Sequence, residues 1–424
     1  MRKRIRSAIA SALLALVLIG VPALASNDTR FGEQYGLQKI GAEAAWVSST
    51  GTGITIAVVD SGTDLSHKDL ASRIVAGYDF VDNDSDPRDE VAGRDPEDPG
   101  CPGNFGHGTH VSGIAAAIAN NYFGIAGVAP DAKIMPVRAL GKHGCGSFEA
   151  VNNGIRWAAD HGAHIINLSL GGDVVIRNIL GSGMEQAVQY AWTRGAIPVI
   201  AAGNDAIFPS GYGSTNAVIV AATNEDDANP GFSNGVGDAK WGIAAPGARI
   251  LSTIPGNAFA KASGTSMATP HVAGAAAVLR CLGLSRDQAV QRLLSTADDV
   301  GLPGRDLTFG DGRLNLASAA AGKGSCMPAA AGSSGGAVEP ATAGPGTPKP
   351  QTRGGSSAPQ PGLSSSSPNS EQVSGAAPSP SASSSPAPKA VILVKRRGPG
   401  LPEAILALAV AAGLAVGFLR RRLG

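Results

Sequence analysis

Five short stretches of this chain, residues 54–59, 134–137, 164–170, 197–202 and 217–222, are dominated by Ile, Val, Leu and Ala and lack a sustained polar face. A strand with one wet face alternates polar and apolar side chains, so stretches of this kind belong in a sheet covered on both sides. Residues 107–119, 148–161, 184–194, 266–281 and 285–295 read as helices. Alternation of strand and helix predicts an α/β architecture in three layers, a mostly parallel central sheet with helices on both faces.

In such a sheet the carboxyl ends of the strands, and the helix starts beside them, line one crevice. Asp60 closes the first strand in Val58-Val59-Asp60-Ser61-Gly62, and Asn204 follows Ile200-Ala201-Ala202-Gly203. His107 opens a helix in His107-Gly108-Thr109-His110, and Ser266 opens another in Gly264-Thr265-Ser266-Met267-Ala268-Thr269-Pro270-His271. A carboxylate, an imidazole, a carboxamide and a hydroxyl can therefore converge. His107 can take the Ser266 hydroxyl proton and return it to a leaving amine, because imidazole titrates near neutrality. Asp60 would fix the ring tautomer, while the Ser266 N–H at a helix N-terminus and the Asn204 side chain would face a forming oxyanion. His110, one turn beyond His107, lacks an HExxH context and reads as a core residue, as do His67 and His271.

Taken with Tyr35-Gly36-Leu37-Gln38-Lys39-Ile40 and the stretches 60–70, 106–130, 167–172 and 263–274, these motifs give residues 27–320 a resemblance to the subtilase family of subtilisin-type serine peptidases, in particular its thermitase-like branch. The resemblance implies a subtilisin-like fold and peptide-bond hydrolysis through a seryl acyl-enzyme. It implies that Ser169, Leu170 and Gly171 pair as an edge strand with an extended protein or peptide substrate, with Gly144, Cys145 and Gly146 as the opposing rim. Ala201, Ala202 and Gly203 would wall the pocket for the side chain before the scissile bond. Structural Ca2+ is also implied, at two candidate sites. One joins Asp28, Asp69 and Asn121 with carbonyls of Ile118, Phe123 and Ile125; the other is the acidic loop Asp79, Asp82, Asp84 and Asp86, where Arg88 replaces an oxygen ligand. Subtilases commonly carry a folding propeptide, but here the Tyr35 motif closely follows the expected cleavage point, so assistance from calcium or from another chain is expected.

The ends of the 424-residue chain point to export. Residues 1–25 read as a signal peptide, with Arg2, Lys3, Arg4 and Arg6, an apolar run and Ala23-Leu24-Ala25. The peptidase domain is expected over residues 26–327. An Ala, Gly, Pro and Ser-rich linker, residues 328–390, cannot bury enough apolar surface to fold. A basic juxtamembrane segment, residues 391–400, a transmembrane helix, residues 401–419, and a basic cytoplasmic tail, residues 420–424, complete the expectation of a domain anchored at the outer face of the cell membrane, an arrangement similar to that of mycosins. Residues 26–330 hold 21 Lys and Arg against 30 Asp and Glu, a net charge of −9 that suits cations and repels nucleic acid. The catalytic domain is expected to act as a monomer.

Four cysteines in an exported domain favour disulfides, and of three pairings we prefer Cys101–Cys145, flanking the site, and Cys281–Cys326, bracketing a C-terminal helical segment. Residues 88–103 form a loop longer than its subtilase counterpart, with Asp89, Glu90, Asp95, Glu97 and Asp98. It reads as a charged surface loop, or as a filter beside the cleft if Cys101 staples it there. A different class of function, a catalytically silent surface domain that only binds peptides, fits the same groove.

Overall fold

The computed structural model describes residues 26–98, 101–170, 183–209 and 212–327. The expected signal peptide, linker, juxtamembrane segment, span and tail lie outside these residues. Among the described residues, no helix is long and apolar enough to cross a membrane.

Seven parallel strands form one sheet: β1 (Thr55–Asp60), β2 (Tyr78–Asp79), β3 (Lys133–Arg138), β4 (Ile165–Leu168), β5 (Ile197–Ala201), β6 (Val218–Thr223) and β7 (Trp241–Pro246), in the spatial order β2-β3-β1-β4-β5-β6-β7. β1 is paired on one side with β3, where Ile56 faces Ile134, and on the other with β4, where Ile56 faces Ile165. The chain leaves β1 toward one edge and later returns to its other side. That reversal opens a crevice at the carboxyl end of β1, and Asp60 is the last residue of that strand.

The eight α-helices among the described residues are α1 (Tyr35–Ile40), α2 (Ala42–Trp46), α3 (His107–Ala116), α4 (Phe148–Asp160), α5 (Met184–Thr193), α6 (Thr265–Cys281), α7 (Arg286–Ser295) and α8 (Leu316–Ala320). The side-chain period of two divides β1 between two cores. Ile56 and Val58 pack with α3 and α6 residues such as Val111, Ile114, Val272 and Val278, whereas Ala57 and Val59 pack with α4 and α5 residues such as Val151, Ile155, Ala187 and Val188. These side chains are buried, and burial of each Val, Leu or Ile contributes about 1.5–3 kcal/mol. The expected three layers are thus present, with both helix starts of interest, His107 and Ser266, on the same face.

An antiparallel hairpin, β8 (Ile250–Ile254) and β9 (Ala258–Ala262), lies outside the main sheet and outside the sequence-based expectation. It braces α3: Ser252 Oγ donates to the His110 carbonyl at 2.7 Å and Thr253 Oγ1 to the Thr109 carbonyl at 2.8 Å. Cys101 is bonded to Cys145 and Cys281 to Cys326.

Candidate active site

Asp60 is fully buried at the end of β1. Its Oδ1 accepts from the Ser61 N–H at 2.8 Å and from His107 Nδ1 at 2.7 Å, while Oδ2 is buried and has no hydrogen-bond partner among the described residues. A carboxylate so poorly solvated favours a positive charge on the one ring it touches. Burial depresses the His107 imidazole, but the Asp60 charge and hydrogen bond, and then the Asp89 charge, hold it above its ordinary value. The α3 start is fixed by Asn104, whose Oδ1 accepts from the N–H of Gly106 at 3.0 Å and of His107 at 2.9 Å. With Nδ1 engaged by Asp60, Nε2 is the nitrogen left for the cleft.

Ser266 is the second residue of α6, among the N–H groups that lack an intrahelical acceptor. Pro270 sits inside that helix and has no N–H to give the carbonyl four residues back. That carbonyl belongs to Ser266, and Ser169 Oγ donates to it at 2.9 Å. The exchange is reciprocal, since Ser266 Oγ donates to the Ser169 carbonyl at 2.9 Å. The resting hydroxyl is therefore committed to β4's end rather than to His107. Asn204 Oδ1 accepts from Thr265 N at 2.9 Å and Thr265 Oγ1 at 3.2 Å, which fixes its carboxamide beside the start of α6. Asn204, His107, Ser169, Ser266 and Gly144 all line one cavity of about 340 Å³.

Comparison with known proteins gives the family. Residues 51–312 match the subtilase family. The chain is a subtilase. Thermitase of Thermoactinomyces vulgaris is 46% identical over 294 residues, which cover 68% of this chain and 96% of thermitase. A thermophilic serine proteinase of Bacillus sp. strain AK1 is 43% identical over 296 residues, 68% of this chain and 67% of that protein. Among solved structures, a protease of Pseudoalteromonas arctica PAMC 21717 superimposes with a TM-score of 0.59 at 32% identity, covering 70% of this chain and 99% of that one. The family is one of subtilisin-like serine proteases.

In this subtilase the other expected substrate residues are placed unevenly. Leu170, Ala201 and Ala202 are buried, and neither they nor Cys145, Gly146 and Gly203 line the cavity. Gly171 lies outside the described residues. Pro102, Gly103, Phe105, Leu140 and Met267 line the cavity, and sequence reasoning missed them. Phe105 is half exposed and stands edge-on to His107, ring centroids 6.0 Å apart. The Cys101–Cys145 bond ties the long loop to the opposing rim, but its acids do not all face the cleft. Glu90 pairs with Arg138 at 2.7 Å and Asp89 is buried.

The first calcium set carries two carboxylates, Asp28 and Asp69, that take backbone and amide N–H groups and pair with no cationic side chain among the described residues. Asp69 is buried, and burial, with the nearby Asp28 charge, pushes its carboxyl up to about 6 despite hydrogen bonds from Asn121 and Ile125. Two carboxylates forced together without a cationic partner want a cation. The loop is tightened by Gly124, where a Cβ would stand 2.1 Å from Asp69 Oδ2. The acidic loop does not fit. Asp79 and Asp82 both accept from Arg138 Nη1, at 2.5 and 2.6 Å, and Asp86 pairs with Arg88 at 3.2 Å. Asp84 accepts from the Asp86 N–H at 2.8 Å. Guanidinium groups compensate Asp79, Asp82 and Asp86, and among the described residues, the first set included, no group of three or more acidic, His or Cys side chains could hold a metal ion. His110 and His271 are buried core residues, both depressed to about 4 by burial.

Proposed function

We propose that this subtilase is an exported serine endopeptidase that cuts extended protein segments, with Asp60, His107 and Ser266 as its triad and Asn204 as an oxyanion donor. The observation that carries the reading is the 2.7 Å Asp60–His107 contact opening on the same cleft as Ser266 and Asn204. His107 Nε2 removes the Ser266 Oγ proton as Oγ bonds to the scissile carbonyl carbon. The developing oxyanion meets Asn204 Nδ2 and the Ser266 N–H. His107 then returns the proton to the departing amine, and water releases the acyl group by the reverse route. Asp60 stabilises the imidazolium throughout.

Ca2+ would be held by Asp28, Asp69 and Asn121 with carbonyls of Ile118, Phe123 and Ile125, and would stabilise the domain. The signal-like residues 1–25 and the apolar residues 401–419 support action at the outer face of the cell membrane. The test is digestion of an unfolded protein by the full chain. Ser266→Ala should abolish cleavage, and Asn204→Ala should lower kcat by about 10²–10³ with little change in KM. Peptide binding without any cleavage by the unaltered chain would overturn the reading in favour of a silent binding domain.

A further inference from the structure

Asp89 belongs to the long loop before α3, yet its carboxylate points inward, away from solvent. Oδ1 accepts from Ser61 Oγ at 2.9 Å and Asn104 Nδ2 at 2.7 Å; Oδ2 accepts from Thr109 N at 3.0 Å and Thr109 Oγ1 at 2.6 Å. Every donor is tied to the Asp60–His107 pair. Ser61 follows Asp60 and its Oγ accepts from the Gly108 N–H at 2.9 Å; Asn104 caps His107; Thr109 is in the first turn of α3. The loop can press this closely because Gly62, at φ +102°, has no Cβ: one would meet the Pro87 carbonyl oxygen at 2.6 Å.

We propose that Asp89 is a positioning residue for His107, clamping the end of β1 to the first turn of α3 so that the Asp60–His107 contact holds its geometry. This rests on the function proposed above. Four convergent donors need a group that only accepts, which a carboxylate is and a carboxamide is not. An amide would present its own N–H₂ to one of them. Burial pushes Asp89 up to about 6 against these four hydrogen bonds. The other charged or titratable groups around the clamp are Asp60, His110 on the next turn of α3, Glu90 paired with Arg138, and Asp64, whose carboxylate takes Ser66 and the Gly256 N–H.

The experiment is steady-state kinetics of the full chain across pH. Asp89→Asn should lower kcat by about 10–100-fold with KM nearly unchanged, and the acid limb of kcat/KM should move to lower pH as His107 loses a negative neighbour. Ser61→Ala removes one donor and keeps the charge, so kcat should fall while the acid limb stays; it serves if Asp89→Asn fails to fold. A lowered Tm with wild-type kcat, KM and acid limb in Asp89→Asn, or wild-type kcat in Ser61→Ala, would overturn the clamp. Residual cleavage by Ser266→Ala would instead overturn the triad, so the two failures are distinguishable.

Discussion

Ser169→Ala tests the reciprocal bridge between β4's end and the nucleophile helix. Ser169 Oγ is buried, accepts from Asn167 Nδ2 at 2.9 Å and donates to the Ser266 carbonyl at 2.9 Å. Truncation leaves both of those groups without their partner, and each buried polar group so left costs about 1–3 kcal/mol. The expected loss is about 2–6 kcal/mol, and at roughly 2–4 °C per kcal/mol for a domain of this size Tm should fall by about 4–24 °C. Pro270→Ala supplies the missing control, since residue 270 regains an N–H and the helix can satisfy the Ser266 carbonyl itself. In that background Ser169→Ala should cost about 1–2 kcal/mol less than alone, measured by urea unfolding in chains that also carry His107→Ala to suppress self-digestion. Costs that add to within about 0.5 kcal/mol would refute the argument that Pro270 makes Ser169 necessary.

Acid stability should follow the buried histidines. His110 and His271, at about 4 folded against 6.5 unfolded, stay neutral in the fold while the unfolded chain binds protons, so each contributes stability above pH 6.5 that is lost as pH falls toward 4, about 3 kcal/mol per residue. Asp89 has the opposite sign: raised from 3.8 to about 6, it adds about 3 kcal/mol as pH falls through the same range, so Asp89→Asn should steepen the acid loss in denaturant titrations, and equal slopes would contradict this. Calcium at about a hundredfold excess over its Kd should add about 2.7 kcal/mol relative to chelator, and thermal scans should show that gain vanish in Asp69→Asn.

The sheet was legible because strands such as β1, β4 and β5 are buried on both faces and so carry no polar alternation. The hairpin was not, because β9 is half exposed and its Ala-Phe-Ala-Lys-Ala pattern is weak in β-formers. β7 was hidden by its Gly, Ala and Pro content. Asp60, His107, Asn204 and Ser266 could be singled out because each stands near a strand's carboxyl end or a helix start inside an extended family motif, and His107, Asn204 and Ser266 line one cavity. Asp89 was not, because one buried acid among five in a charged loop has no local mark. Nor could spacing distinguish an acidic loop arranged around Arg138, a residue 56 positions beyond Asp82, from one open to a cation.

The central claim, that Ser266 is the nucleophile activated by the Asp60–His107 pair, is tested most directly by fluorophosphonate labelling of the folded full chain followed by peptide mapping. The account predicts one stoichiometric adduct on Ser266 Oγ, absent in Ser266→Ala and formed far more slowly in His107→Ala. An unlabelled Ser266 in a folded chain, or a label that forms equally fast without His107, would contradict it.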